Sequence, residues 1–234
     1  MIKSLLQSSR FGDGLYHDNW SSFAQWMIAS TVRRLSVCRL CGARAHHQEI
    51  CTACRNDLPW RVSPWQKSLP HIDHVWAAFD FAYPIRQLIH RVKYGRDIAC
   101  ARLLGELLAE RLLALGVVPR TGTLFPVPLA RGRIWGRGFN QAVELCLPII
   151  RYHKLLIDEV SVYKPLARKT QSTLDAQSRR ANTRGAFQYR DSIRCETAII
   201  VDDVLTTGAT ASAMARVLKQ AGAKSVFVWV VAAA

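Results

Sequence analysis

The sequence predicts an α/β protein in which a parallel sheet is flanked by helices and preceded by a small four-cysteine module. The first observation is the run Ala198-Ile199-Ile200-Val201, apolar throughout and mostly β-branched, as suits a central strand buried on both faces. Asp202-Asp203 and the small, hydroxylated stretch Val204 to Thr210 follow it, and then a helix over 211–221 with Met214, Val217 and Leu218 on one face. Strand, acidic pair, loop and helix in that order place a helix start at the carboxyl end of a sheet, where open α/β proteins bind their ligands. The second observation is the alternation of strand-like and helix-like segments from residue 75 onward, closing on an apolar run over 225–231. The third is a pair of C-x-x-C knuckles near the N-terminus.

The chain has 234 residues, half of them hydrophobic, enough for one substantial domain with a small module attached. Its boundaries are expected at 1–36 for an N-terminal segment, 37–64 for the cysteine module and 65–234 for the main domain. No apolar run reaches the roughly 18 residues that span a bilayer, and no secretory pattern is evident, so a soluble, cytoplasmic protein is expected. The net charge of +15 points to anionic partners.

Residues 1–36 carry a loose amphipathic pattern, Leu5 and Leu6 through Trp20, Phe23 and Trp26 to Ile28. It fits a helix docked on its own domain, a membrane-surface segment or an extended translational start. Cys38, Cys41, Cys51 and Cys54 then form two knuckles nine residues apart, a spacing that places four thiolates around one structural Zn²⁺. A redox dithiol, an iron–sulfur cluster or two disulfides are the competing readings; the cytosol disfavours disulfides, and a thioredoxin-like motif needs only one C-x-x-C. His46 and His47 lie in the spacer and are not needed as ligands. Cys100, Cys146 and Cys195 stand alone in apolar segments as core filler.

Val75 to Tyr83 reads as a strand, and Pro84 opens a helix with Ile85, Leu88, Ile89 and Val92 on its buried side, ending at Lys93-Tyr94-Gly95. A second helix over 98–115 has a leucine face that runs from Leu103 to Leu113. Thr123 to Leu129 is a short strand. It leads into Arg131-Gly132-Arg133-Ile134-Trp135-Gly136-Arg137-Gly138, a basic, glycine-rich loop suited to bidentate phosphate contacts, and then a helix through Ile150. A strand over 159–163 precedes a polar, basic stretch. From Arg131 to Arg194 there are 13 lysines and arginines against 5 acids, as in a lid over an anionic site or a nucleic-acid footprint.

The acidic pair and its loop define a chemistry. Uncapped backbone N–H groups at a helix start suit a phosphate, Gly208 permits close approach and Ala209 adds little bulk. Thr206, Thr207 and Thr210 offer hydroxyl donors, while Asp202 and Asp203, which repel a phosphate, match the two hydroxyls of a ribose with Mg²⁺ nearby. An ordinary strand–loop–helix with a capping Asp pair, or a Mg²⁺-binding response-regulator turn, shares parts of this pattern but not its whole length.

The stretch VDDVLTTGAT resembles the phosphoribosyl-diphosphate (PRPP) loop of type I phosphoribosyltransferases. Together with the four-Cys module, the Tyr83-Pro84 to Lys93-Tyr94-Gly95 segment, PVP, RGFNQ and the Arg-rich stretch ending in Ala186-Phe187, it resembles the ComF family over about residues 37 to 231. The resemblance implies a phosphoribosyltransferase-like sheet with a zinc-ribbon-like module, binding PRPP with Mg²⁺. It also implies a role in natural competence, in handling of internalised DNA, and in contacts with single-stranded DNA and competence-machinery proteins. In that scheme Asp202 and Asp203 orient the ribose and Thr206, Thr207, Gly208, Ala209 and Thr210 hold its 5-phosphate. Arg137, with Arg131 and Lys93, neutralises pyrophosphate. Two classes of function stay open: a transferase with an unnamed acceptor, and a non-catalytic PRPP sensor or single-stranded DNA-binding protein.

Overall fold

The computed structural model describes residues 37–45, 49–63, 65–129, 136–165, 186–190 and 195–234. His46, His47, Arg131 and the basic stretch over 168–184 lie outside these. The chain divides into two compact units, Met1–Asn56 and Asp57–Ala234.

In the first unit, the described residues form a turn and a short helix. Gly42 N–H donates to the Cys38 carbonyl at 2.9 Å, and an isolated antiparallel bridge joins Val37 to Arg44. Arg39 N–H donates to the Glu49 carbonyl at 2.9 Å, and the Arg39 guanidinium also pairs with the Glu49 carboxylate, so the two knuckle turns are tied together. Helix α1 (Thr52–Asn56) follows Cys51.

The second unit is built on a five-stranded parallel sheet. Its strands are β1 (His74–Asp80), β2 (Thr123–Pro126), β3 (Leu156–Ile157), β6 (Thr197–Leu205) and β7 (Ser225–Ala233), in the spatial order β1-β7-β6-β2-β3. A separate antiparallel pair joins β4 (Val162–Tyr163) to β5 (Gln188–Tyr189). The helices are α2 (Ile85–Tyr94), α3 (Ile98–Ala114), α4 (Gln141–His153) and α5 (Ala209–Gln220). This is the helix-flanked parallel sheet that the sequence predicts.

Strand order fixes where the helices go. The connections β1→β2 and β2→β3 step one way across the sheet, while β6→β7 steps the other way. Right-handed crossovers therefore put α3 and α4 on one face and α5 on the other. The strands leaving in opposite directions are β6 and β2, which are neighbours with Leu124 opposite Ile199 and Pro126 opposite Val201. The carboxyl ends of this pair are the topological switch point of the sheet, where an open α/β sheet is expected to have its binding crevice.

Burial follows the period-two pattern of a strand between two layers. Ala198 and Ile200 share a core cluster with Met214, Val217 and Leu218 of α5 and with Val226, Val228 and Val230 of β7. On the other side α3 and α4 pack closely because Gly105 of α3 has no side chain. A Cβ there would lie 2.6 Å from the Leu145 carbonyl oxygen and 3.1 Å from Pro148 Cγ. Cys100 and Cys146 are fully buried, and Cys195 is half-buried against the α5-side core, so all three are packing residues.

Several elements differ from their sequence-based limits: β1 stops at Asp80, not Tyr83, and β2 at Pro126, not Leu129. The strand expected over 159–163 is reduced to β4 (Val162–Tyr163), and β3 (Leu156–Ile157) is a separate strand before it. The Asp158 carboxylate accepts from the N–H groups of Val160 at 3.0 Å and Ser161 at 2.9 Å, and this local turn outcompetes a continuous ladder. Helix α5 begins at Ala209, two residues earlier than its apolar periodicity suggests. Strand β6 runs through the acidic pair to Leu205 instead of ending before it, held by the pairs Asp202–Val230 and Val204–Ala232 with β7.

Candidate functional site

The carboxylates of Asp202 and Asp203 stand at the end of the central strand, beside the β6/β2 crevice. Asp203 is 6% exposed and both of its oxygens are engaged. Lys93, in the last turn of α2, places its Nζ 2.9 Å from Oδ1. Gln141, the first residue of α4, donates from Nε2 to Oδ2 at 3.3 Å. Arg137 in turn donates to Gln141 Oε1. The chain Arg137–Gln141–Asp203–Lys93 thus joins the basic loop after β2, the acidic end of β6 and the end of α2 in one polar network.

Local sequence explains how these groups arrive together. Asn140 caps α4, its Oδ1 accepting from Ala142 N–H at 3.1 Å while its Nδ2 donates to the Val127 carbonyl at 3.2 Å. That bond ties the helix start to the chain just beyond β2 and delivers Gln141 to the strand ends. Val127 N–H donates to the Val201 carbonyl at 3.0 Å, carrying the β2/β6 pairing up to the acidic residues.

Asp202 is half-buried, and its Oδ1 accepts the Asp203 backbone N–H at 2.8 Å. Burial, reinforced by the neighbouring Asp203 charge, pushes its carboxyl up to about 7, against opposing pulls from that N–H, Lys93 and Lys164. A carboxyl with a higher pKa in the folded than in the unfolded chain favours folding most when protonated. Its contribution is lost as pH rises from about 4 through 7. Wild type should therefore lose stability relative to Asp202→Asn across that window, then run parallel to it above about pH 8. Urea unfolding at stepped pH measures this, and parallel curves throughout would contradict the burial of Asp202.

The loop that follows is shaped for close approach. Gly208 is buried with φ 76°, and a Cβ at this position would meet the methyls of Leu69 at 2.5 and 2.7 Å. Glycine is required twice over, by backbone conformation and by space. Thr206, Thr207, Ala209 and Thr210 are exposed around it. Helix α5 has no side-chain cap, and only a long 3.4 Å contact links Ala209 N–H to Thr207 Oγ1, so its first N–H groups face outward. Nine of the ten residues expected at the PRPP site are described, and Lys93, Arg137, Asp202 and Asp203 share the network above. Gln141, Asn140 and Leu69 were assigned no role from the sequence; Gln141 and Asn140 lie inside the RGFNQ motif, which was the available signal.

In the first unit, the sulfur atoms of Cys38, Cys41, Cys51 and Cys54 all lie within 4.8 Å of one another, with Cys41 and Cys51 3.7 Å apart. These four cysteines could hold a metal ion. Zn–S bonds of about 2.3 Å in a tetrahedron set sulfurs about 3.8 Å apart, so the spacing fits zinc. The thiols also disfavour a metal-free cluster. Despite its burial, Cys38 is drawn down to about 6 by backbone N–H bonds from Cys51, Cys41 and Leu40, while contact with the Cys41 thiol drives Cys54 well up. Four sulfurs this close ionise together only around a cation.

Among the described residues no helix is long and apolar enough to cross a membrane. No family model matches the chain. It is 33% identical to the DNA utilization protein YhgH of Escherichia coli O157:H7 over 220 residues, covering 89% of this chain and 91% of that protein. It is 29% identical to competence protein F of Haemophilus influenzae over 210 residues, covering 85% and 90%. Against competence protein ComFC of Streptococcus pneumoniae the identity is 25% over 179 residues, covering 76% and 74%. Similarity at this level over nearly the whole length, with the four-cysteine cluster and the helix-flanked parallel sheet, places the chain in the ComF family, the family of YhgH and the competence proteins F and ComFC.

Proposed function

We propose that this protein binds PRPP at the β6/β2 crevice and acts as a phosphoribosyltransferase-like protein in natural competence, in the handling of internalised DNA. The observation that carries the reading is the carboxylate pair at the end of β6, adjoining the glycine turn and open helix start of α5, with Lys93 and Gln141 locked onto Asp203. A diol-binding acid pair beside a phosphate-binding helix start matches a sugar 5-phosphate with free 2- and 3-hydroxyls.

The chemistry such a site performs needs few acid–base groups. As the bond from ribose C1 to pyrophosphate breaks, positive charge develops on the ring and negative charge on the leaving group. Asp202 and Asp203 hold the ribose hydroxyls and fix the ring, the α5 N-terminus and the threonine hydroxyls hold the 5-phosphate, and Arg137, Arg131 and Lys93 receive pyrophosphate. Mg²⁺, when bound with PRPP, neutralises phosphate charge; Asp202 and Asp203 are the carboxylates in reach. Orientation and fixed charge supply most of the rate advantage. Zinc at Cys38, Cys41, Cys51 and Cys54 is structural in this reading.

The net charge of +15 supports a second reading, in which the chain binds single-stranded DNA and PRPP serves only as a signal. Isothermal titration with PRPP and Mg²⁺, repeated with short single-stranded oligonucleotides at several salt concentrations, tests both. Micromolar PRPP binding with release of pyrophosphate in the presence of an acceptor supports the transferase. Binding of PRPP without release, together with strongly salt-dependent oligonucleotide binding, supports the sensor. If PRPP gives no heat at millimolar concentration, the site reading fails.

A further inference from the structure

A groove of about 400 Å³ runs along the outer side of α2, lined by Phe81, Arg86, Gln87, Ile89, His90, Lys93 and Tyr94. Arg86, Gln87, His90 and Tyr94 recur at helical spacing on the side of α2 away from the buried Ile85, Leu88 and Val92, and Ile89, also buried, borders them. The groove ends at Lys93, whose ammonium reaches Asp203. From these residues we propose that the groove seats a base of single-stranded DNA, stacked on His90 and Tyr94, at the edge of the crevice. This rests on the reading of the protein as one that handles DNA, but not on PRPP binding.

Three features of the lining select that occupant. His90 and Tyr94 form an aromatic step with ring centroids 4.5 Å apart, yet Tyr94 is 73% exposed. An aromatic shelf left open to solvent beside Phe81 and Ile89 offers a planar ring a surface to stack on. The charged side chains of the lining are Arg86 and Lys93, both cationic; the Lys93 ammonium is held by the Asp203 carboxylate. The Arg86 guanidinium has no ion-pair partner among the described residues, so a phosphate meets attraction without displacing an acid. Gln87 adds an amide with both a donor and an acceptor, the combination that pairs with the edge of a base. Because Arg86, Gln87, His90 and Tyr94 are all exposed, the groove is open along its length, and a strand can enter and leave it. The outer side of α2 provides the stacking.

Fluorescence anisotropy with the full-length protein tests this. The probes are a labelled deoxyadenosine decamer and a labelled abasic decamer of equal length and phosphate count. Wild type should prefer the adenine decamer by about tenfold, the worth of one stacked base. Tyr94→Ala and His90→Ala should remove that preference, Tyr94→Phe should keep it, and Arg86→Ala should weaken both probes together. Tyr94 is exposed, so its variants should melt with wild type, which thermal scans verify. Equal binding of the two decamers by wild type, an unchanged preference in Tyr94→Ala, or free deoxyadenosine monophosphate competing as well as the decamer would each overturn the proposal. Titration of PRPP into the same variants separates the readings. Retained PRPP binding with lost base preference places the effect in the groove, and absent PRPP binding with the preference intact refutes the PRPP site alone.

Discussion

Asp203→Asn should lower affinity for PRPP with Mg²⁺ by about tenfold to 100-fold, because the proposed ribose contact loses its charge, and a hydrogen bond to a charged group is worth about 1.5–3 kcal/mol. The neutral amide also removes the charge that holds Lys93, 2.9 Å away. The fold should survive the change. Lys93 is 28% exposed and turns toward water, and Asn still accepts from Gln141. Calorimetry on the variant, with urea unfolding in parallel, separates the two effects. Wild-type affinity in a folded Asp203→Asn protein would mean that the Asp203 charge is structural and takes no part in holding the ribose.

The second large effect concerns the cysteines. Purified protein should carry one zinc per chain, and Cys41→Ser should release it while the first unit loses its ordered turns. Structural zinc contributes about 10–16 kcal/mol to modules that cannot fold without it, far more than a knuckle of this size gains from its apolar residues. Among the described residues of the unit, the buried apolar side chains are Cys38, Ala45 and Ile50. Metal analysis by mass spectrometry and near-ultraviolet circular dichroism with and without a chelator measure both losses. A metal-free protein with an unchanged spectrum would leave the four sulfurs as a thiol cluster only.

The central strand pair and the helices around it were legible in the sequence because their residues are governed by local rules. The β-branched run at 198–201, the apolar periodicity of α2 and α3 and the asparagine and glycine punctuation all act within a few residues. The extension of β6 through Asp202 and Asp203 was not legible. It depends on β7 offering partners as far as Ala233, a long-range pairing that overrides the poor strand propensity of aspartate. The late start of β4, at Val162 and not at Glu159, turned on one side-chain turn at Asp158. Lys93 and Gln141 were visible as residues in motifs, but their meeting on Asp203 required strand order, because they are 110 and 62 positions away from it in sequence. Leu69 over Gly208 carried no signal at all, since nothing in a lone leucine marks it as the neighbour of a loop 139 residues later.

The continuation of β6 through its acidic pair has an architectural corollary. Successive residues in a pleated ribbon project to opposite sides, so two carboxylates locked in register at 202 and 203 cannot lie flat against one surface. Whatever they hold must straddle the rim, like a rider over a wall, with one leg toward each helical layer. A single-residue deletion upstream in the same ribbon would exchange the two legs and turn the greasy side chains behind them outward, so the spacing of this stretch is as constrained as its composition.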